Sequence, residues 1–418
     1  MTPRGNAMNG FWKGAFRSLT GFNYRLWAMG ALVSNIGTWM QRVAQDWLVL
    51  TQLTRNNATA VGVVMALQYG PQLLFMPWTG FAADHFDRRK LLLATQAAMG
   101  VLALGLGLLT VAGAVRLWHV YVFAFLLGCA SAFDAPARQT FVADLAGEAD
   151  LANAVALNST SFSAARMVGP AVAGVLIAAV GCGWVFLLNA ASFLAVLWSL
   201  AFLRVRELYP NSRAARRQGS FVEGFRYVWN RPDLKAILVM LFWIGTFGLN
   251  FPIFISTMTV GVFHAGAGRY GLFYSLLALG TIAGALLTAR RERPRMRHLL
   301  SSAVLFGASG GLAAVMPNGG LFGLALCFTG LAALTFTTTT NSLMQLSTEP
   351  DMRGRVMAIR LAIALGCTPI GAPVVGWVAD RYGPRWALGL GAASGFVAAL
   401  VGVRCLVKCR RPRGEAGA

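Results

Sequence analysis

Residues Gly169–Ser192 read GPAVAGVLIAAVGCGWVFLLNAAS, and the pattern returns as Gly371–Ser394, GAPVVGWVADRYGPRWALGLGAAS. At this one offset Gly169, Val172, Gly174, Gly181, Trp184, Leu188, Ala190, Ala191 and Ser192 meet identical residues. The offset is close to half of the 418 residues, so the chain reads as a duplication. Each copy is an apolar run, a glycine-marked turn and a second apolar run. Runs of about 20 apolar residues are what an α-helix needs to cross a bilayer.

Working outward, twelve such spans are expected, near 24–50, 58–83, 91–113, 118–140, 152–180, 183–203, 235–263, 268–289, 298–316, 319–345, 354–380 and 385–407. The composition agrees: 56% of residues are hydrophobic and only 12% charged, where a soluble domain would carry about a quarter charged. The fold class expected is an all-α polytopic membrane protein of two pseudo-symmetric six-helix bundles. Its parts are 1–203 and 235–410, joined by a basic linker, 204–234, with an amphipathic piece, SFVEGFRYVW, suited to the membrane surface. A tail, 411–418, closes the chain. The first 20 residues lack the apolar core of a signal peptide, so the N-terminus is expected to be retained.

A net charge of +21 would suit nucleic acid, but placement argues otherwise. With both termini on one side, 29 Lys and Arg fall on that face and five on the other, leaving Arg42 and Arg166 inside the membrane. This is the positive-inside pattern, and it puts both termini in the cytoplasm. The partners expected are therefore a small-molecule substrate and membrane lipid, with no nucleic acid, for a monomer. Cys405 and Cys409 have no nearby His, so no metal is expected. No nucleotide loop or hydrolase motif occurs, which disfavours an enzyme or an ATP-driven pump.

After the second span stands GFAADHFDRRK, Gly80 to Lys90. Gly80 would allow close helix approach, Asp84 could cap or pair at the membrane edge, and Arg88, Arg89 and Lys90 would anchor the turn. The equivalent segment of the second half, GALLTARRERPR from Gly284, has Thr288 in place of the acid. Together with GTWMQRVAQDWLVL in span one, FDAPARQTFVADL (Phe133–Leu145), ARMVGPAVAG (Ala165–Gly174) and RGRVMAI (Arg353–Ile359), this resembles the major facilitator superfamily. Within it the chain is similar to the secretion-effector exporter branch, which includes enterobactin and macrolide exporters. The one departure in the first motif is Asp87, where a glycine is usual.

The resemblance implies alternating access, with export of a small amphipathic molecule such as a drug or siderophore against proton influx and no cofactor. It also implies a conformational lock in which Asp84 pairs with Arg88 and with the start of span eleven near Arg355 or Arg360. Gly169, Pro170 and Gly174 would supply bending and close packing. A plasma-membrane location, the bacterial inner membrane, follows. The other readings are an importer or facilitator of an amphipathic metabolite or lipid fragment, and a non-transporting membrane sensor.

Charges inside spans are costly, so they point to function. Asp46 and Asp134 are the acids placed within spans, and a partly desolvated carboxylate suits proton coupling. Asp46 is expected to carry the proton with Arg42 tuning it. Gln41 with Gln45, and Arg42 with Asp46, form adjacent i, i+4 pairs, a polar stripe on span one. Asp134 precedes Arg138 by four residues, which also suits a structural ion pair. Arg166, near the midplane, requires a partner. Candidates for the substrate cavity are Gln41, Gln45, Gln68, Tyr69, Asn250, Phe247, Asn341 and Gln345.

Overall fold

Gly181 and Gly383, the turn glycines of the repeat, share one backbone conformation: φ +87°, ψ 170° and φ +101°, ψ 161°. That region admits glycine at little cost and disfavours side chains. In the computed structural model, which describes residues 17–209, 221–289 and 294–410, each of these glycines separates two helices. Its N–H closes the preceding one, onto Ile177 in the first copy and Ala379 in the second.

Among the described residues all regular structure is helical. The helices are α1 (Phe22–Leu48), α2 (Ala58–Leu74), α3 (Met76–His85), α4 (Arg88–Val111), α5 (Leu117–Val180), α6 (Cys182–Ala201) and α7 (Phe221–Trp229). They continue as α8 (Pro232–Trp243), α9 (Phe251–Thr257), α10 (Ala267–Ala289), α11 (Met296–Val315), α12 (Gly319–Leu346), α13 (Pro350–Tyr382) and α14 (Pro384–Arg410). Nine helical stretches among the described residues are long and apolar enough to cross a membrane. Helix α5 contains both the fourth and fifth expected spans, broken at Gly147 with φ +66°.

Two spans expected as continuous are interrupted. The second breaks at Phe75, between α2 and α3, just ahead of Pro77. The seventh passes from α8 through a π-turn, Ile244–Gly248, to a non-helical Leu249–Asn250, then α9 and a second π-turn, Met258–Val262. Gly245, Gly248 and Pro252 surround this break, and proline removes a ladder donor while glycine tolerates the kink. The Asn250 amide donates to the Thr246 carbonyl at 2.6 Å, occupying an acceptor in the interrupted ladder.

By internal contacts the chain forms two compact units. One comprises Met1–Gln45 and Leu74–Ala215, the other Asp46–Leu73 and Arg216–Ala418. The first unit's core is Tyr24, Trp27, Leu92, Met99, Phe141, Phe193 and Leu200. The second is built on Ile237, Met240, Leu241, Phe306, Phe336, Met344 and Val356.

Lipid is as apolar as leucine, so close packing rather than water exclusion holds such helices together. The repeat glycines show how. A Cβ on Gly169 would strike Trp39 and the Ile36 carbonyl of α1, and one on Gly371 would strike the backbone of Thr246. Thus the fifth span packs on the first, and the eleventh on the seventh, through equivalent glycines. The repeat serines match as well: Ser192 lies against Gly37, and Ser394 against Gly248.

The linker's helical part, α7, exposes Phe225 and Trp229, with rings stacked 5.5 Å apart. Lys235 places its ammonium 3.8 Å from the Trp229 ring centre. Residues 210–220, which carry part of the linker's charge, and the 411–418 tail lie outside the described residues.

Candidate functional site

The polar stripe of α1 is buried: Gln41 is 3% exposed, Gln45 1% and Asp46 7%, with Arg42 half-buried. The helical run continues past Leu48 through a π-turn, Val49–Leu53. Asp46 therefore has seven residues of helix beyond it, roughly 10 Å, where the sequence placed it four residues from the end. Its neighbour Trp47 packs on Tyr270 of α10 at 5.4 Å between ring centres, and Tyr270 packs on Tyr274 at 5.3 Å. Tyr270 is fully buried and lies within electrostatic reach of Asp46. The sequence offered no sign of that tyrosine, because aromatic residues are common in any span.

Arg42 lies over the Trp39 ring at 4.8 Å, and Trp39 meets Phe162 edge-on at 5.9 Å. A cation over an aromatic face is attracted by the ring quadrupole. Arg166 precedes the Gly169–Trp39 contact by three residues, so Arg42 and Arg166 sit on two helices joined at that point. Gly169, Pro170 and Gly174 are all buried.

Gln41 is tied to another helix: its Oε1 accepts a hydrogen bond from the Asn189 amide of α6, and Asn189 Oδ1 accepts from Ser192. A buried amide must find a partner, and the nearest was another helix. By contrast, Gln45 Oε1 makes no hydrogen bond. Asn250 is fully buried within the break of the seventh span, with Oδ1 unbonded. Phe247 is half-buried and packs on Trp243 at 5.6 Å. Gln68, Tyr69 and Asn341 are half-buried and Gln345 exposed.

Asp134 is the hub of a network that sequence reading captured only in part. Its Oδ1 accepts from Thr95 at 2.9 Å and Gln96 at 2.7 Å, and Oδ2 accepts from both Nε and Nη2 of Arg138. Arg138 then donates to Asn35 Oδ1 at 2.8 Å. One carboxylate thereby joins α1, α4 and α5. The acid–base spacing pointed to Arg138, but nothing local pointed to Thr95, Gln96 or Asn35.

The described side chains of the inner motif and of the start of the eleventh span have these partners. Arg88 pairs with Asp144 at 2.6 Å, and Arg89 donates to the Leu200 and Ala201 carbonyls that end α6. Arg355 pairs with Glu223 of α7 at 2.9 Å, and Arg360 donates weakly to the Thr337 carbonyl at 3.4 Å. The close approach expected at Gly80 is not made here, for a Cβ there meets no atom within 4 Å. The side chain of Asp84 lies outside the described residues.

Asp87, the departure from the motif, has a structural reason: its Oδ1 accepts from the Lys90 N–H and caps α4. Asp87→Ala is expected to lower thermal stability in detergent by about 1 kcal/mol, the worth of an N-cap. Asp87→Asn should retain most of it.

Known proteins bear on this arrangement. Residues 14–416 match the family described as transmembrane secretion effector. The chain is 26% identical over 353 residues to a staphyloferrin A transporter of Staphylococcus aureus, covering 83% of this chain and 87% of that one. It is 26% identical to the multidrug efflux pump Tap of Mycolicibacterium fortuitum, covering 84% and 88%. It is also 24% identical to the enterobactin exporter EntS of Shigella flexneri, covering 86% and 85%.

Among solved structures, a bacterial homologue of the human lysosomal transporter Spinster superposes with a TM-score of 0.73 at 14% identity, covering 94% and 98%. The nucleoside transporter NupG gives 0.73 at 12%, covering 92% and 99%. Likeness at that identity speaks to fold alone. The family match over nearly the whole length, on this helical fold with its duplicated glycine packing, places the chain in the transmembrane secretion effector family of major facilitator transporters.

Proposed function

We propose that the chain exports a small amphipathic molecule by alternating access, driven by protons and needing no cofactor. The observation that carries this reading is Asp46, a carboxylate 7% exposed on an apolar helix, whose neighbour Trp47 packs on the fully buried Tyr270. A carboxylate there is costly to keep charged, which suits a group that takes up and gives up a proton as access changes. Arg42 and Arg166 on the adjoining faces of α1 and α5 supply fixed positive charge for an anionic group or for Asp46 itself. The named cargoes of relatives, siderophores and drugs, suggest the class.

The duplication supports two bundles, 1–203 and 235–410, with 204–234 as linker and 411–418 as tail. The charge split supports cytoplasmic termini, and the family supports the bacterial inner membrane for a monomer without enzymatic activity. Gly80–Lys90 is proposed to act as a lock in the alternate state, where Arg88 would exchange its partner.

Inverted vesicles with a trapped pH-sensitive dye test the reading, using ethidium, enterobactin and staphyloferrin A as probes. At least one probe is expected to discharge lumenal protons, and Asp46→Asn to slow that discharge about tenfold or more. Proton release at an unchanged rate in Asp46→Asn removes Asp46 from the coupling role. No discharge with any probe weakens proton-coupled export itself.

A further inference from the structure

The duplication assigns the second span to the first half of the chain, yet Asp46–Leu73 packs with the second unit. The contacts are close. A Cβ on Gly62 of α2 would strike the Ala372 and Pro373 backbone of α13, and one on Gly376 would strike Ala58 and Thr59. At the end of this seam Asp380 reaches α2 from 322 positions away. Its Oδ1 accepts from the Ala58 N–H at 2.7 Å, and its Oδ2 from the Thr59 N–H at 2.8 Å and the Thr59 hydroxyl at 2.5 Å.

Ordinary helix capping does not account for this. Helix α2 already has a local cap, for Asn57 Oδ1 accepts from the Ala60 N–H at 2.8 Å. Asp380 takes the first two amides in addition, and a charged acceptor with three donors is a strong, directional tie. The tie sits where the chain has already run the length of α1 and has yet to run the length of α14. It opens onto a cleft lined by Leu50, Arg55, Asn56, Thr257 and Pro384, so water can replace the carboxylate at the freed amides.

We propose that Asp380 is a latch that holds α2 against α13 at this seam, and that outward opening requires its three hydrogen bonds to α2 to break. The inference rests on the alternating-access reading, but not on proton coupling or on any cargo. A latch of this kind is bistable: dry glycine packing favours the closed seam, and hydration of two amides and a carboxylate makes the open one accessible.

The test uses the full chain in lipid nanodiscs, which leave both faces open to reagent. Met65, 4% exposed and one turn beyond Gly62, becomes the reporter as Met65→Cys. Its reaction with a charged maleimide is followed by mass spectrometry of the peptide containing residue 65. With Asp380 intact, labelling should be slow, and Asp380→Asn should speed it about tenfold, as expected for losing hydrogen bonds to a charged group. Should Asp380→Asn fail to fold, Thr59→Val, which removes one donor, should give a smaller rise of the same sign.

The paired substitution Thr59→Cys with Asp380→Cys should form a disulfide, suppress labelling below the native rate, and release it on reduction. Equal rates with and without Asp380, failure of the pair to cross-link, or free labelling of the cross-linked protein would each overturn the latch. Because no arm uses cargo or a proton gradient, these results are independent of whether Asp46 couples transport.

Discussion

Asp134→Ala is expected to cost about 3 kcal/mol or more of stability, more than any other single polar truncation in the first unit. Thermal unfolding in detergent should show it as a marked fall in midpoint, with much of the protein lost as aggregate. Asp134 receives four hydrogen bonds, from Thr95, Gln96 and two nitrogens of Arg138, at 5% exposure. Removing it strands Arg138, whose side chain is 19% exposed, together with two neutral donors. Breaking one partner of a buried pair leaves an uncompensated charge, and this costs about 3–5 kcal/mol.

The double variant Asp134→Ala with Arg138→Met separates that explanation from simple loss of packing. With both charges gone, at least half of the lost stability should return, because the penalty lies in the orphaned guanidinium rather than in the pair. A double variant no better than Asp134→Ala would show that the neutral donors, not the charge, set the cost.

Gly280→Val is expected to be comparably severe, about 3 kcal/mol or more, and to abolish accumulation of folded protein. A Cβ on Gly280 of α10 would collide with the Cys327 carbonyl and Cα of α12. Gly330 of α12 meets the Leu277 carbonyl in the same way, and Gly284 meets Leu331. These are backbone atoms on both sides, so no rotamer change can make room. Overpacking that must displace main chain exceeds the 1–3 kcal/mol usual for side-chain clashes. Gly268→Ala in the first turn of α10 is the matched control, because its Cβ meets nothing within 4 Å. It should be neutral or slightly stabilising. Detergent-solubilised yield and the midpoint of tryptophan fluorescence check both variants.

These two predictions differ in how far the sequence could have supported them. The acid at position 134 was visible as a charge in a span, and Arg138 as its partner by spacing. Thr95, Gln96 and Asn35 were not, because they come from helices whose rotation about their axes no local pattern reports. Gly280 and Gly330 were indistinguishable from the other 45 glycines of the chain. Only the crossing of α10 and α12 separates them from Gly268, which faces open space.

The candidate site shows the same division. Hydrophobic run length determined a membrane-spanning α-helical chain, because the bilayer imposes one length on every span and backbone groups in lipid must bond within their own helix. The constant offset between Gly169–Ser192 and Gly371–Ser394 determined a duplicated architecture, and the cost of charge in hydrocarbon singled out Asp46, Arg42, Asp134 and Arg166. Tertiary structure alone decided the partners: Asn189 for Gln41, Glu223 for Arg355, Tyr270 for Trp47, and Asp380 for the start of α2. It also decided where the seventh span breaks. Hydrophobicity and charge are properties each residue carries with it, so a sequence displays them. Partner choice depends on how separate helices are rotated and crossed, and the packing of small residues sets that only once the helices meet.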